Sequence, residues 1–103
     1  MKKRMVRQPT SPGEILWEEF LKPIGLSQVD FARHLGWSQP KVNEIIQGKR
    51  GVSPEAAMML ADALGTTPQF WLNAQQAVDL WKAQKRYKPV KKLPQVPKQE
   101  VAS

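Results

Sequence analysis

A chain of 103 residues, 41% hydrophobic, is long enough for one small domain with a modest core and a thin stability margin. It has no Cys, which excludes disulfides, a thiolate nucleophile and Cys-based zinc sites, and its single His34 leaves little room for His-based metal or acid–base chemistry. No apolar segment follows the basic start MKKRMVRQPT as in a secretory signal, and no run nears the roughly 18 apolar residues of a membrane span; the lack of Cys fits a cytoplasmic protein.

The net charge of +7 is unevenly spread. Lys2, Lys3, Arg4 and Arg7 lie in the first 13 residues with no acid, and Lys88, Lys91, Lys92 and Lys98 face only Glu100 at the other end. The charges between balance, but unevenly: 27–52 is net positive, 53–81 is net negative, and Lys82, Lys85 and Arg86 follow. A positive belt with two basic tails suits a polyanion, most simply nucleic acid. The plainer reading of basic tails is solubility.

Ser11-Pro12-Gly13-Glu14 supplies an N-cap, a Pro at the first helical position and a Glu three residues after the cap, so a first helix is expected from Pro12 to about Lys22, ended by Pro23 and Gly25. On it Leu16 and Phe20 should share one face, and Trp17 and Leu21 another. Ser27 caps a second helix, Gln28 to Leu35, with Phe31, Ala32 and Leu35 inward. Gly36 supplies a tight turn, and Ser38 caps a third helix, Gln39 to Gln47, stopped by Gly48. Its apolar stripe is Val42, Ile45 and Ile46. Ser53-Pro54-Glu55 opens a fourth helix on which Ala57, Leu60, Ala61 and Leu64 repeat at helical spacing, and Gly65 ends it. Thr67-Pro68 opens a fifth, to about Arg86, with Phe70, Trp71, Ala74, Ala77, Val78 and Trp81 apolar.

Nothing reads as a strand. The expected architecture is all-α: a basic arm over 1–10, a five-helix domain over 11–86, and a disordered or extended basic tail over 87–103, where prolines and lysines break every periodicity.

The second and third helices carry the functional signal. Ala32, Gly36 and Ser38 place a small buried residue, a glycine turn and a capping hydroxyl where a helix-turn-helix closes, with Val42 and Ile45 packing the third helix onto the second. Such a third helix enters a DNA major groove with its N-terminal end nearest the base edges. Ser38, Gln39 and Lys41 occupy that end, and Glu44 lies one turn on. Gln can pair bidentately with adenine and Lys can donate to the guanine edge, while Glu44 can accept from cytosine or orient Lys41. Gln28, at the start of the second helix, can help hold a phosphate, and Lys49 and Arg50 can clamp another. The fifth helix has more apolar surface than one small core needs, so Trp71, Val78 and Trp81 are expected at a dimer seam, with Trp71 the one of the three most suited to the core.

Gly25-Leu26-Ser27-Gln28, Phe31-Ala32, Leu35-Gly36-Trp37-Ser38 and Val42 to Arg50 together resemble the Cro/cI-type (lambda repressor-like, Xre) DNA-binding family. Ser11 to Leu16 and Thr67 to Gln75 narrow the resemblance to the HigA-type antitoxins, also called virulence-associated protein I. It covers residues 11–81; the KKLPQVPKQE tail lies outside the pattern. The resemblance implies a homodimer that binds a palindromic double-stranded operator, represses its own operon and neutralises a RelE-like (HigB-type) ribonuclease toxin. By position it assigns DNA contact to Gln28, Ser38, Gln39, Lys41, Asn43, Lys49 and Arg50. Pro40 stands where the family commonly has a basic or polar residue. A stand-alone repressor with no toxin is the alternative within DNA binding, and a pure protein-interaction module a further one. For an enzyme, Glu14 and Glu18 at i, i+4 lack a third ligand, and neither a nucleophile nor a partner for His34 can be assigned, so no catalytic, metal or cofactor residue is expected.

Overall fold

Hydroxyl side chains set every helix start. In the computed structural model, which describes residues 7–97, Ser11, Ser27, Ser38, Ser53 and Thr67 each sit in extended backbone and accept a hydrogen bond from the backbone N–H three residues on. Each cap satisfies an otherwise orphaned donor and is worth about 1 kcal/mol. Ser11 adds the reciprocal half, its own N–H donating to Glu14 Oε1 at 3.0 Å. Five helices follow among the described residues: α1 over 12–24, α2 Gln28–Leu35, α3 Gln39–Ile46, α4 Pro54–Leu64 and α5 Pro68–Gln84. No strand occurs among these residues. Residues 1–6 of the expected basic arm and 98–103 of the expected tail lie outside the described residues; 87–97 form no helix or strand and are exposed.

The first helix departs from expectation. It runs through Pro23 to Ile24, and its middle, Leu16–Leu21, is a π-helix. The Lys22 N–H donates to the Trp17 carbonyl, five residues back. That widened turn lies just before Pro23, whose ring would press on a carbonyl four residues earlier in a regular α-helix. It also changes which side chains align. Leu16 and Leu21, five apart, are both fully buried, whereas Trp17 and Phe20 are half-buried. The pairings expected from four-residue spacing, Leu16 with Phe20 and Trp17 with Leu21, therefore give way.

Leu16, Leu21, Phe31, Ala32, Val42, Ile45, Val52, Ala56, Ala57, Leu60 and Trp71 form the core, so every helix contributes. No polar or charged side chain is buried among the described residues. Trp71, expected at a dimer seam as well as suited to the core, is 0% exposed and donates its indole N–H to Thr66 Oγ1 at 2.7 Å. Val78 is 5% exposed. Both are buried within the chain's own fold, where α5 packs against α4 and α1, and of the three expected seam residues they have the least surface. Trp81 remains half-exposed, with Lys85 Nζ 3.7 Å above its ring.

One contact fixes α1 against α3. Gly13 is buried, and a Cβ there would overlap the Ile45 carbonyl oxygen and lie 2.7 Å from Ile45 C and Ile46 Cα. Only a residue without a side chain lets the two backbones approach this closely.

Candidate nucleic-acid interface

The α2–turn–α3 unit is built by local rules. At the end of α2, Gly36 takes φ 75°, the Gly36 N–H donates to the Arg33 carbonyl and the Trp37 N–H to the Ala32 carbonyl. This paired closure reverses the chain at a glycine where an L side chain would be strained. One residue later Ser38 starts α3. Val42 and Ile45 point inward at 0% and 1% exposure, beside Ala32 at 3%, so α3 is seated on α2 by its inner stripe.

A polar latch adds to that seat. Asn43 Nδ2 donates to Gln28 Oε1 at 3.1 Å, joining α3 to the start of α2. With its carbonyl oxygen occupied, Gln28 keeps its own amide N–H groups for an outside acceptor. Asn43, expected as a contact residue, uses one of its two amide N–H groups on this latch and keeps the other and its carbonyl oxygen.

At the N-terminal end of α3, Ser38 and Gln39 are exposed, and Ser38 Oγ accepts from the Lys41 N–H at 3.2 Å. Lys41 lies over the Trp37 ring, 4.2 Å from its centroid. Glu44 does not orient Lys41. Its carboxylate accepts from Arg50 Nε and Nη2, each at 2.9 Å. The cause is the turn after α3: the Lys49 and Arg50 N–H groups both donate to the Glu44 carbonyl, at 2.8 and 3.2 Å, and this brings Arg50 back beside Glu44. Arg50 is therefore held by a carboxylate, and of the two expected clamps Lys49 is the one with no ion pair among the described residues.

Two contributors are not evident from sequence. Gln75 Oε1 accepts the Val52 N–H at 2.8 Å, tying the loop that carries Lys49 and Arg50 to α5, while Gln75 Nε2 donates to Asp79 at 2.9 Å. Lys82, also on α5, lines with Lys49 and Arg50 a cleft of about 430 Å³ beside the start of α1. Both residues are more than 20 positions from the loop, and only their helical spacing on the α5 face toward Val78 hints at them. The i, i+4 carboxylates of α1 have other partners: Glu14 in the Ser11 cap, and Glu18 with Lys22 at 3.4 Å. No helix among the described residues is long and apolar enough to cross a membrane.

Two helices joined by a glycine turn, the second latched by its inner side and presenting a polar leading end, define a helix-turn-helix protein. A family model described as a helix-turn-helix domain matches residues 4–69. The antitoxin HigA-1 of Vibrio cholerae is 46% identical over 81 residues, 79% of this chain and 76% of that protein. The chain belongs to the HigA-type antitoxins of the helix-turn-helix family. Among solved structures, antitoxin GraA in complex with its operator shares 46% identity and a TM-score of 0.74, covering 84% of this chain and 85% of that one. Pseudomonas aeruginosa antitoxin HigA with the higBA promoter shares 35% identity and a TM-score of 0.72, covering 82% of this chain and all of that one (100%).

Proposed function

We propose that this chain is a cytoplasmic antitoxin that binds a palindromic operator as a homodimer, represses its own operon and neutralises a RelE-like toxin of the HigB type. The observation that carries the reading is the leading end of α3. Ser38, Gln39 and Lys41 lie outward on a helix whose inner side is fixed by Val42, Ile45 and the Gln28–Asn43 latch. A rigid helix with an outward amide and ammonium suits base edges in a major groove. Around it, the free amide of Gln28, Lys49 and Lys82 supply donors for phosphates. The relatives described as bound to an operator or promoter support the same use.

A single unit of this kind reads a few base pairs, so two copies spanning half-sites about one helical turn apart gain affinity. With Trp71 and Val78 inside, the seam falls on the accessible stripe of α5: Phe70, Ala74, Ala77 and Trp81, at i, i+4, i+7 and i+11. The basic arm over 1–10 and the tail over 87–103 flank the domain and add to its attraction for polyanions.

The test is duplex binding by fluorescence anisotropy, using the DNA upstream of this chain's own gene. Affinity should exceed that for scrambled DNA and fall steeply with salt as phosphate counterions are released. Equal affinity for both duplexes at low salt would refute operator binding. For the toxin, co-expression with the adjacent reading frame should yield a complex with a partner of about a hundred residues, in the small-domain range; if no adjacent frame encodes one, the stand-alone repressor reading replaces the antitoxin.

A further inference from the structure

The first turn of a helix favours acids, because the macrodipole is positive there. At the third position after the cap, α1 and α2 have Glu14 and Asp30, and α4 and α5 have Ala56 and Phe70. In α3 that position is Lys41, the one cation in the first turn of any of the five helices. Its placement works against the helix and forgoes the reciprocal cap that Glu14 makes in α1. An aromatic face sits beneath it instead. Trp37 is fixed from three sides: its N–H donates to the Ala32 carbonyl at 2.9 Å, its indole N–H points to Met59 Sδ at 3.3 Å, and its ring packs on the core. On this anchored plane rests Lys41 Nζ.

We propose that Trp37 is a positioning residue for base recognition: its indole face holds the Lys41 ammonium at the leading end of α3, so that it meets a base edge rather than the nearest phosphate. The proposal rests on the operator reading above and adds a specificity determinant to it. A free lysine gives up much rotamer entropy when it is ordered and, as a flexible point charge, serves any phosphate. A lysine already confined over a ring loses less on binding, and its reach is limited to what faces that ring. Trp37 thereby converts a general cation into a selective donor, with the guanine O6/N7 edge as its acceptor.

The experiment compares wild type, Trp37→Leu, Trp37→Phe, Lys41→Met and the double variant Trp37→Leu/Lys41→Met. Duplexes are the upstream operator and a set with each base pair of one half-site exchanged. Trp37→Leu should reduce discrimination at one base pair per half-site by about two- to five-fold, the range of an exposed cation–π contact. Binding to unrelated DNA and the salt slope should stay unchanged. Trp37→Phe, which keeps a ring face, should retain most of the discrimination, and in the Lys41→Met background the Trp37→Leu effect should vanish. A uniform loss on all duplexes, or an effect that persists without Lys41, overturns the proposal. A second readout needs no DNA: in the free protein the Lys41 Cε protons should be shifted upfield by the ring and return on Trp37→Leu. If that shift is absent while the operator is still bound, the proposal falls alone. If the shift is present and no operator is bound, the operator reading, and base recognition with it, is what fails.

Discussion

Substituting Gly13 by Ala tests the packing that seats α3. On helix propensity alone the change should stabilise the chain, since Ala exceeds Gly by about 1 kcal/mol in a helix. The contact reverses the sign. The added methyl would overlap the Ile45 carbonyl oxygen and sit 2.7 Å from two further atoms, Ile45 C and Ile46 Cα. All three belong to the backbone of α3, so no rotamer change relieves them. Restoring ordinary carbon–carbon separations of about 3.5 Å moves the two backbones apart by about 1 Å. Overpacking of this kind costs about 1–3 kcal/mol, and the rigidity of both partners puts Gly13→Ala near the upper end. After the propensity gain, a net loss of about 1–2 kcal/mol remains. For a domain of this size each kcal/mol corresponds to about 4–8 °C in Tm. Thermal unfolding followed by circular dichroism reads this directly. An unchanged or raised Tm would show that α1 does not bear on α3 at this point, and the account of how the third helix is seated would be wrong.

Other substitutions separate the roles assigned to the interface. Gln39→Ala should relax base preference at one position per half-site, whereas Lys49→Ala should weaken all duplexes about equally and shallow the salt slope by about one; identical behaviour of the two variants would refute the division. Gln75→Leu leaves the Val52 N–H without its acceptor and should cost about 1–3 kcal/mol in urea unfolding, with no change in unfolding midpoint as the refuting result. Trp81→Ala should shift the chain toward monomer in sedimentation velocity, and an undisturbed dimer would place the seam elsewhere.

The helix starts, and the helix ends other than that of α1, were legible because their causes are local. A hydroxyl followed by Pro or an acid starts each helix, and Gly25, Gly36, Gly48 and Gly65 each take positive φ just past a helix end. The π turn of α1 escaped that reading, because four-residue periodicity assumes the regular bond that Lys22 abandons for Trp17. The inside or outside of Trp71 could not be settled from one helix, since it depends on which neighbours α5 meets. The partner of Glu44 followed from a turn rather than from spacing: Arg50, six residues away, reaches it through the backbone closure after α3. Gln75 and Lys82 join the site through tertiary packing, and the only trace of it in the sequence is their shared face with Val78.

The division of α3 into an inner stripe that folds the protein and an outer row that does not has an evolutionary corollary. Val42 and Ile45 anchor the helix, while Gln39 and Lys41 contribute nothing to the interior. As the proposed base readers, these two outer positions are free to change which operator is preferred without lowering the stability of the fold that carries them.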